Sequence, residues 1–172
     1  MSEPRPYRYQ GKIRFDVPGV NFPTEAGFAS GGAGAKGSTP YGDWPITQFN
    51  PHTPKYDLQG FALNNIYGRL PDPQASDGQR SDIMLHLDPK GRTLDKIKSL
   101  GCLSVAPEDW PALRDEIISL QKQGYSLVAH VDNTGQVTIR QSDGTTATPV
   151  ASASAFADGT KAARAPIRDL QS

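Results

Sequence analysis

The chain has 172 residues, which is enough for one domain of ordinary size with its own core. Its 18 basic residues balance 18 acidic ones, so the net charge gives no electrostatic reason to expect binding to nucleic acid or to an anionic membrane. No segment has the apolar length of a membrane span, and 17 glycines with 15 prolines favour a loop-rich β protein.

Both ends of the chain are polar. The first residues, MSEPRPYRYQ, lack the apolar run of a secretory signal. We therefore expect a cytoplasmic protein, a protein exported by a machine that needs no such signal, or a chain trimmed of its signal. After Gly144 the composition shifts to Thr, Ala, Ser and Pro, which predicts one domain over residues 1–144 and a polar tail over residues 145–172.

Strand and turn signals alternate in the first half of the chain. Apolar side chains at every second position predict a strand from Lys12 to Val17. The run ASGGAGAKGS over residues 29–38 lacks the spacing of a phosphate-binding loop, and its composition predicts a flexible surface loop. The segment TPYGDWPI then predicts a tight turn and a strand that carries Trp44. Two prolines among residues 70–79 predict an exposed loop.

The second half of the chain combines short strands with one helix. Apolar runs at residues 82–87 and 103–105 predict two strands. A helical stripe of apolar side chains then predicts an amphipathic helix that ends at Gly124: Trp110, Leu113, Ile117 and Leu120. The sequence DNTG between apolar runs at 126–131 and 136–140 is the clearest hairpin signal.

The only cysteine of the chain, Cys102, follows Gly101 and has His86 upstream. A thiol is a weak nucleophile until a base such as imidazole removes its proton, so a lone Cys with a His is a candidate nucleophile and base. A glycine before the Cys suits a sharp corner, where backbone N–H groups can stabilise a developing oxyanion. The same residues are consistent with Cys102 as a small buried hydrophobe, which is what most free cysteines are.

Other interpretations stay open on the sequence. In a papain-like order Cys102 would pair with His130, although a papain-like Cys opens a helix and the residues after Cys102 predict a strand. A loop-rich β domain with a polar tail could also be a binding module that is not an enzyme. Asp88, in a DPKG turn, either orients the imidazole of His86 or only shapes the turn. One Cys and three scattered His give no metal-ligand spacing, so we predict no metal and no cofactor.

Two motifs resemble the L,D-transpeptidase (YkuD-like) family. The SxGC box of that family is matched by SLGC ending at Cys102, with His86 before it. The upstream GSTPYGDWPI resembles the family's TP-x-G segment, which precedes the His. The order of Gly-rich run, TP-G strand, His strand, box and helix also agrees, and the resemblance spans roughly Ile13 to Leu120.

The resemblance implies a mainly β fold, of the β-sandwich or barrel-like L,D-transpeptidase type, with one amphipathic helix after the catalytic Cys. It also implies acyl transfer or hydrolysis on peptidoglycan stem peptides. The Cys attacks the carbonyl before a terminal D-alanine, and an amine or water resolves the thioester. Here Cys102 would be the nucleophile, His86 the base, and the N–H groups around Gly101 the oxyanion donors, while Ser99 would shape the corner by hydrogen bonding.

Substrate contacts are predicted from the charge of the stem peptide. Its carboxylates suit basic side chains, so we predict contacts from Lys36, Arg80 and Arg92, with Lys98 as a further candidate. Trp44, in the TP-G segment, is predicted to contact the substrate as well. For each basic residue alone, a solvated surface charge is the simpler interpretation.

The sequence departs from the family pattern at two places. The box more often has His before its Gly, where this chain has Leu100, and an Arg often follows the Cys, where this chain has Leu103-Ser104-Val105. This relaxed box resembles a subgroup of toxic effectors that bacteria inject into the periplasm of rivals through a type VI secretion system. We expect an antibacterial effector with an immunity protein and secretion machinery as partners. An endogenous wall enzyme and a phage lysin are the alternatives.

Overall fold

The computed structural model describes residues 4–23, 25–34, 37–53, 57–63, 70–72, 74, 78–80 and 82–142. The predicted substrate residue Lys36 and the predicted tail over residues 145–172 lie outside these ranges. Within them, the strands and helices in chain order are β1 (Arg8–Asp16), β2 (Ala26–Gly31), β3 (Gly42–Asn50), β4 (Gly60–Leu63), β5 (Leu70–Pro71), β6 (Gln79–Arg80), β7 (Met84–Leu87), a 3-10 helix (Leu94–Lys96), β8 (Leu103–Val105), α1 (Trp110–Lys122), β9 (Leu127–Val131) and β10 (Val137–Gln141).

Eight of these strands form a closed barrel in the order β1-β10-β9-β3-β4-β7-β8-β2, and β5 pairs with β6 alone. The pairs β1–β10 and β7–β8 are parallel, and the other neighbours are antiparallel. Closure gives each barrel strand two hydrogen-bonded neighbours and so removes exposed sheet edges. The prediction of a mainly β, barrel-like fold with one helix after the Cys is confirmed. The L,D-transpeptidase form of that fold stays a prediction.

One apolar core joins the barrel strands to α1. All eight barrel strands contribute buried side chains to it, and so do Trp110, Leu113, Ile117 and Leu120 of α1. The indole N–H of Trp110 is not left unpaired in this core, because it donates to Oε1 of Gln59 over 2.5 Å. The helical stripe seen in the sequence is therefore confirmed as core packing.

The Gly-rich run is a strand where it meets the barrel. The prediction of a flexible loop is wrong for residues 29–31, because they belong to β2, whose six residues are all buried between β1 and β8. Small residues are needed there: a Cβ on Gly31 would lie 2.2 Å from the carbonyl oxygen of Tyr7, and one on Gly27 would lie 3.1 Å from Cδ2 of Leu94. A composition typical of loops here reflects close packing of backbone and side chains.

The predicted exposed loop over residues 70–79 is also corrected. Its ends pair as β5 and β6, with Leu70 opposite Arg80 and Pro71 opposite Gln79. Asp72 is fully buried, and its backbone N–H donates to the carbonyl oxygen of Gly78 over 2.9 Å. Polar composition alone predicted exposure, but the Asp72 carboxylate is buried because two arginines pair with it.

Candidate active site

The parallel pair β7–β8 carries both candidate catalytic residues. The register places Leu85 opposite Leu103 and His86 opposite Ser104. Leu85 and Leu103 belong to the apolar core. Because successive side chains of a strand point to opposite faces, His86 and Ser104 share the face away from that core. Cys102 directly precedes β8, two positions before Ser104.

Cys102 and His86 lie on neighbouring segments of this pair, because His86 is opposite Ser104 and Cys102 is two residues before Ser104. Both residues are buried, with Cys102 8% exposed and His86 4% exposed. The strand order of the barrel therefore places the segments that carry the predicted nucleophile and the predicted base side by side.

The carbonyl of Leu87 fixes the orientation of the His86 ring. Nδ1 of His86 lies 2.7 Å from the carbonyl oxygen of Leu87. A carbonyl can only accept, so Nδ1 carries the proton and the neutral ring keeps a lone pair on Nε2. Asp88 has a different role: its carboxylate accepts from Arg92 Nη2 at 2.7 Å and from the backbone N–H of Arg92 at 2.8 Å. Asp88 thus shapes the turn, and the Leu87 carbonyl orients the imidazole.

Burial keeps both groups neutral at rest. It raises the pKa of the Cys102 thiol to about 11, against weaker opposing effects of the Met84 backbone N–H and of the Arg80 charge. The thiol donates to the carbonyl oxygen of Asp82 at 3.5 Å, which also suits a protonated sulfur. Burial lowers the pKa of His86, and the Leu87 carbonyl and the Asp88 charge oppose that shift. Near pH 7 the site therefore holds a thiol and a neutral imidazole.

Ser99 holds the corner before Cys102. Its hydroxyl donates to the carbonyl oxygen of Cys102 over 2.7 Å. The hydroxyl oxygen of Ser99 in turn accepts from the backbone N–H groups of Gly31 at 3.0 Å and of Gly101 at 3.2 Å. One side chain therefore ties the corner to β2. Because the N–H of Gly101 already donates to Ser99, the N–H of Cys102 is the better candidate to donate to an oxyanion.

The Arg80 side chain packs against the corner at Gly101. Its guanidinium is 1% exposed and donates to Ser38 O at 2.6 Å, to Asp72 at 3.2 Å and to Gly101 O at 3.4 Å. Gly101 has φ +127, and a Cβ there would lie 1.9 Å from Nη2 of Arg80. Asp72 also accepts from Arg5 at 2.9 Å. Through these contacts Arg80 supports the backbone at the corner and holds its own positive charge beside Cys102. The sequence predicts that Arg80 contacts substrate, but its guanidinium is buried among these partners.

The other predicted substrate residues are not gathered at Cys102. Trp44 is 1% exposed in the apolar core, and its indole N–H donates to the carbonyl oxygen of Pro40 over 3.0 Å, so it packs the barrel. Arg92 is paired with Asp88 and also donates to the carbonyl oxygen of Lys98 at 2.9 Å. Lys98 itself is exposed, and Lys36 lies outside the described residues.

His130 is remote from Cys102. It lies on β9, which is separated from β8 by three strands in either direction around the barrel. Nδ1 of His130 pairs with Oδ1 of Asp43 at 2.6 Å on a partly exposed surface. A Cys102–His130 pair of papain-like order therefore has no support in the fold.

Sequence reasoning missed three contributors to this site. The Leu87 carbonyl has no side-chain signature. Asp72 and Ser104 were hidden for different reasons, since Asp72 lies in a proline-rich polar run and Ser104 lies in a three-residue strand. The useful signal for Ser104 was its polarity within an otherwise apolar strand that is buried on both faces.

No protein-family model matches the chain, and neither a curated protein nor a solved structure does. The likeness to L,D-transpeptidases thus consists of the two short motifs, and membership of that family stays a prediction. Across the described residues, no group of three or more His, Cys, Asp or Glu side chains is arranged to hold a metal ion. In the same residues, no helix combines the length and apolarity needed to cross a membrane.

Proposed function

We propose that the chain catalyses cysteine-dependent acyl transfer or hydrolysis on peptidoglycan stem peptides, with Cys102 as nucleophile and His86 as general base. The observation that supports the proposal is the β7–β8 register, which pairs His86 with Ser104, two residues after Cys102. The bond from His86 Nδ1 to the Leu87 carbonyl supports it further, because it leaves Nε2 free to accept a proton.

The first half-reaction forms a thioester. Nε2 of His86 takes the proton of the Cys102 thiol as sulfur attacks the carbonyl carbon before the terminal D-alanine. The carbonyl π electrons move to oxygen, and the backbone N–H of Cys102 stabilises the resulting oxyanion. When the intermediate collapses, the C–N bond breaks, the amine of D-alanine takes the proton from His86, and the acyl group stays on sulfur.

The second half-reaction restores the enzyme. A water or an amine of another stem attacks the thioester, and His86 takes its proton. The C–S bond then breaks, and the proton returns to sulfur. Water gives a carboxypeptidase product and an amine gives a cross-link, so access of these two acceptors to the acyl-enzyme decides the outcome.

The neutral resting pair makes His86 a base that acts during attack, because a preformed thiolate is disfavoured by burial. The same burial favours a second candidate function, a non-enzymatic β module in which Cys102 is a structural thiol. The two candidates differ in what the thiol does: a catalytic thiol forms a thioester with substrate, and a structural thiol does not.

The substrate is proposed from the charge of the stem peptide, and the biological role from the sequence of the SLGC box. A stem carboxylate needs an accessible cation, and we assign that role to Lys98, an exposed residue that directly precedes Ser99. The relaxed box, with Leu100 58% exposed before Gly101, supports an effector that acts in the periplasm of a target bacterium. An immunity protein and a secretion apparatus are the partners expected for that role.

The test is digestion of purified peptidoglycan followed by mass analysis of the released muropeptides. Native protein is expected to remove terminal D-alanine from tetrapeptides or to form new cross-links, and Cys102→Ala is expected to do neither. Trapping of the thioester, seen as an acyl mass on Cys102 at low pH, separates an enzyme from a binding module. Equal products from native protein and Cys102→Ala contradict the proposal.

A further inference from the structure

Ser104 carries an unusual hydroxyl. It is the one buried side-chain polar atom without a hydrogen-bond partner among the residues that the structure describes, and Ser104 is 0% exposed. An unpartnered buried hydroxyl destabilises a fold, and native proteins contain few of them. Alanine would fill the same place in β8 without that cost, so the hydroxyl calls for a role beyond packing.

The position of Ser104 relates it to both candidate catalytic residues. It lies directly opposite His86 in the β7–β8 register and two residues after Cys102. Adjacent strands lie about 4.8 Å apart, and side chains at opposite positions on one face can interact across that spacing. The nearby charges, Asp88 and Arg92, are paired with each other.

We propose that Ser104 is a positioning residue for His86, whose hydroxyl accepts a hydrogen bond from the imidazolium that forms when Cys102 loses its proton. The ring then has two N–H groups, and the Leu87 carbonyl accepts the one on Nδ1. Once the electron pair of the sulfur forms the new C–S bond, the sulfur no longer accepts a hydrogen bond from Nε2. That N–H then needs another acceptor. A hydroxyl can rotate to offer that acceptor, and it remains unpartnered in the resting state.

This inference rests on the proposed function only in taking His86 as the base, and its test needs no peptidoglycan. Iodoacetamide alkylates Cys102 by forming a C–S bond as iodide leaves, and His86 takes the thiol proton. We expect Ser104→Ala to slow alkylation of the full chain at pH 8 about tenfold, the size of one charge-assisted hydrogen bond. We expect Ser104→Thr, which keeps the hydroxyl, to stay within about threefold of the native rate.

Two further variants separate positioning from packing. In a His86→Gln background, Ser104→Ala is expected to change the rate by less than about twofold, because the partner of the hydroxyl is gone. Thr53→Val removes another buried hydroxyl, one that accepts from the N–H of Leu58 at 3.0 Å. That control is expected to lower Tm and leave alkylation unchanged, whereas Ser104→Ala is expected to keep or raise Tm.

The outcomes separate this inference from the proposed function. A slowing that depends on His86 supports the inference even if the native protein leaves peptidoglycan untouched. Unchanged alkylation in Ser104→Ala, or equal slowing with and without His86, overturns it even if the native protein digests peptidoglycan. A lower Tm with unchanged alkylation assigns Ser104 to packing and overturns it as well.

Discussion

The ring of His86 is held by the residue that follows it, with Nδ1 2.7 Å from the carbonyl oxygen of Leu87. The partner needs no side chain, so the orientation of the imidazole is set by the backbone of β7. Close packing secures the same position from β4, because a Cβ on Gly60 would lie 2.7 Å from Cβ of His86. The usual role of a carboxylate partner is thus filled by a peptide group.

The first prediction compares His86 and His130, the two histidines that the sequence allows as the partner of Cys102. Loss of a general base typically lowers turnover by about 10²- to 10⁴-fold, so His86→Gln is expected to lose that much D-alanine release. His130→Gln is expected to stay within about twofold of native, since its partner is Asp43 on the far side of the barrel. The reverse ranking would reinstate the papain-like pairing.

The second prediction concerns the glycine of the corner. Gly101→Ala places a Cβ 1.9 Å from Nη2 of Arg80 at φ +127, so we expect a loss of about 3 kcal/mol or more in unfolding free energy, together with loss of activity. Gly91→Ala is the matched control, because Gly91 also has a positive φ of +63 but no atom near its added Cβ. The control is expected to cost only about 1 kcal/mol in chemical denaturation. Equal costs would show that backbone conformation alone, without Arg80, sets the need for glycine.

The third prediction uses two charges that act on the thiol in opposite directions. The Arg80 charge lowers the pKa of Cys102 and the Asp82 charge raises it. Arg80→Gln should therefore slow alkylation of Cys102 at pH 8.5, and Asp82→Asn should accelerate it, each by roughly threefold. Asn also tolerates the left-handed backbone conformation of Asp82, whose φ is +60.

The measurement for this third prediction is the rate of carbamidomethylation followed by mass spectrometry, with Tm recorded for each variant. Arg80→Gln is also expected to lower Tm, because Asp72 and the carbonyl of Ser38 lose a donor. Two variants that shift the rate in the same direction would show that packing, and not charge, controls the reactivity of the thiol.

The fourth prediction is a pH dependence of stability. The pKa of Cys102 is raised to about 11 in the folded state from an ordinary value of 9.0, so the unfolded chain ionises first. The thiol's contribution is complete below about pH 9 and is lost as pH rises toward 11. Cys102→Ala should therefore lose less stability than the native protein between pH 8 and pH 10.5, by about 2 kcal/mol at the alkaline end.

Thermal unfolding at matched pH values measures this effect. Tyr9 and Tyr41, whose pKa values burial also raises, are present in both proteins and cancel in the comparison. Parallel alkaline curves for the two proteins would mean that the thiol titrates near its ordinary pKa, and so is open to water.

The order of the strands and the helix along the chain could be predicted from the sequence, but which strands pair in the barrel could not. Alternation and turn residues indicated β1, the β9–β10 hairpin and the stripe of α1, because those signals are local. The pairing of β7 with β8, which sets His86 opposite Ser104, depends on tertiary arrangement. Local composition was misleading where small or polar residues are buried, as in β2 and at Asp72.

The site was predictable to the same degree. Cys102, His86 and Ser99 follow from short motifs, and Ser99 makes the corner hydrogen bonds expected of it. The predicted cationic contacts rested on sequence proximity to the Cys, which says nothing of where a long side chain ends. Arg80 shows the difficulty, since its guanidinium is buried against Asp72 and Gly101 O.

The parallel pairing of β1 with β10 has a consequence for folding. The first and last barrel strands are neighbours, so a chain emerging from the ribosome cannot close the ring until Gln141 is free. β8, next to Cys102, pairs with β2, which in turn pairs with β1. Assembly around the thiol therefore waits for contacts between distant parts of the chain, and such non-local closure makes folding slow.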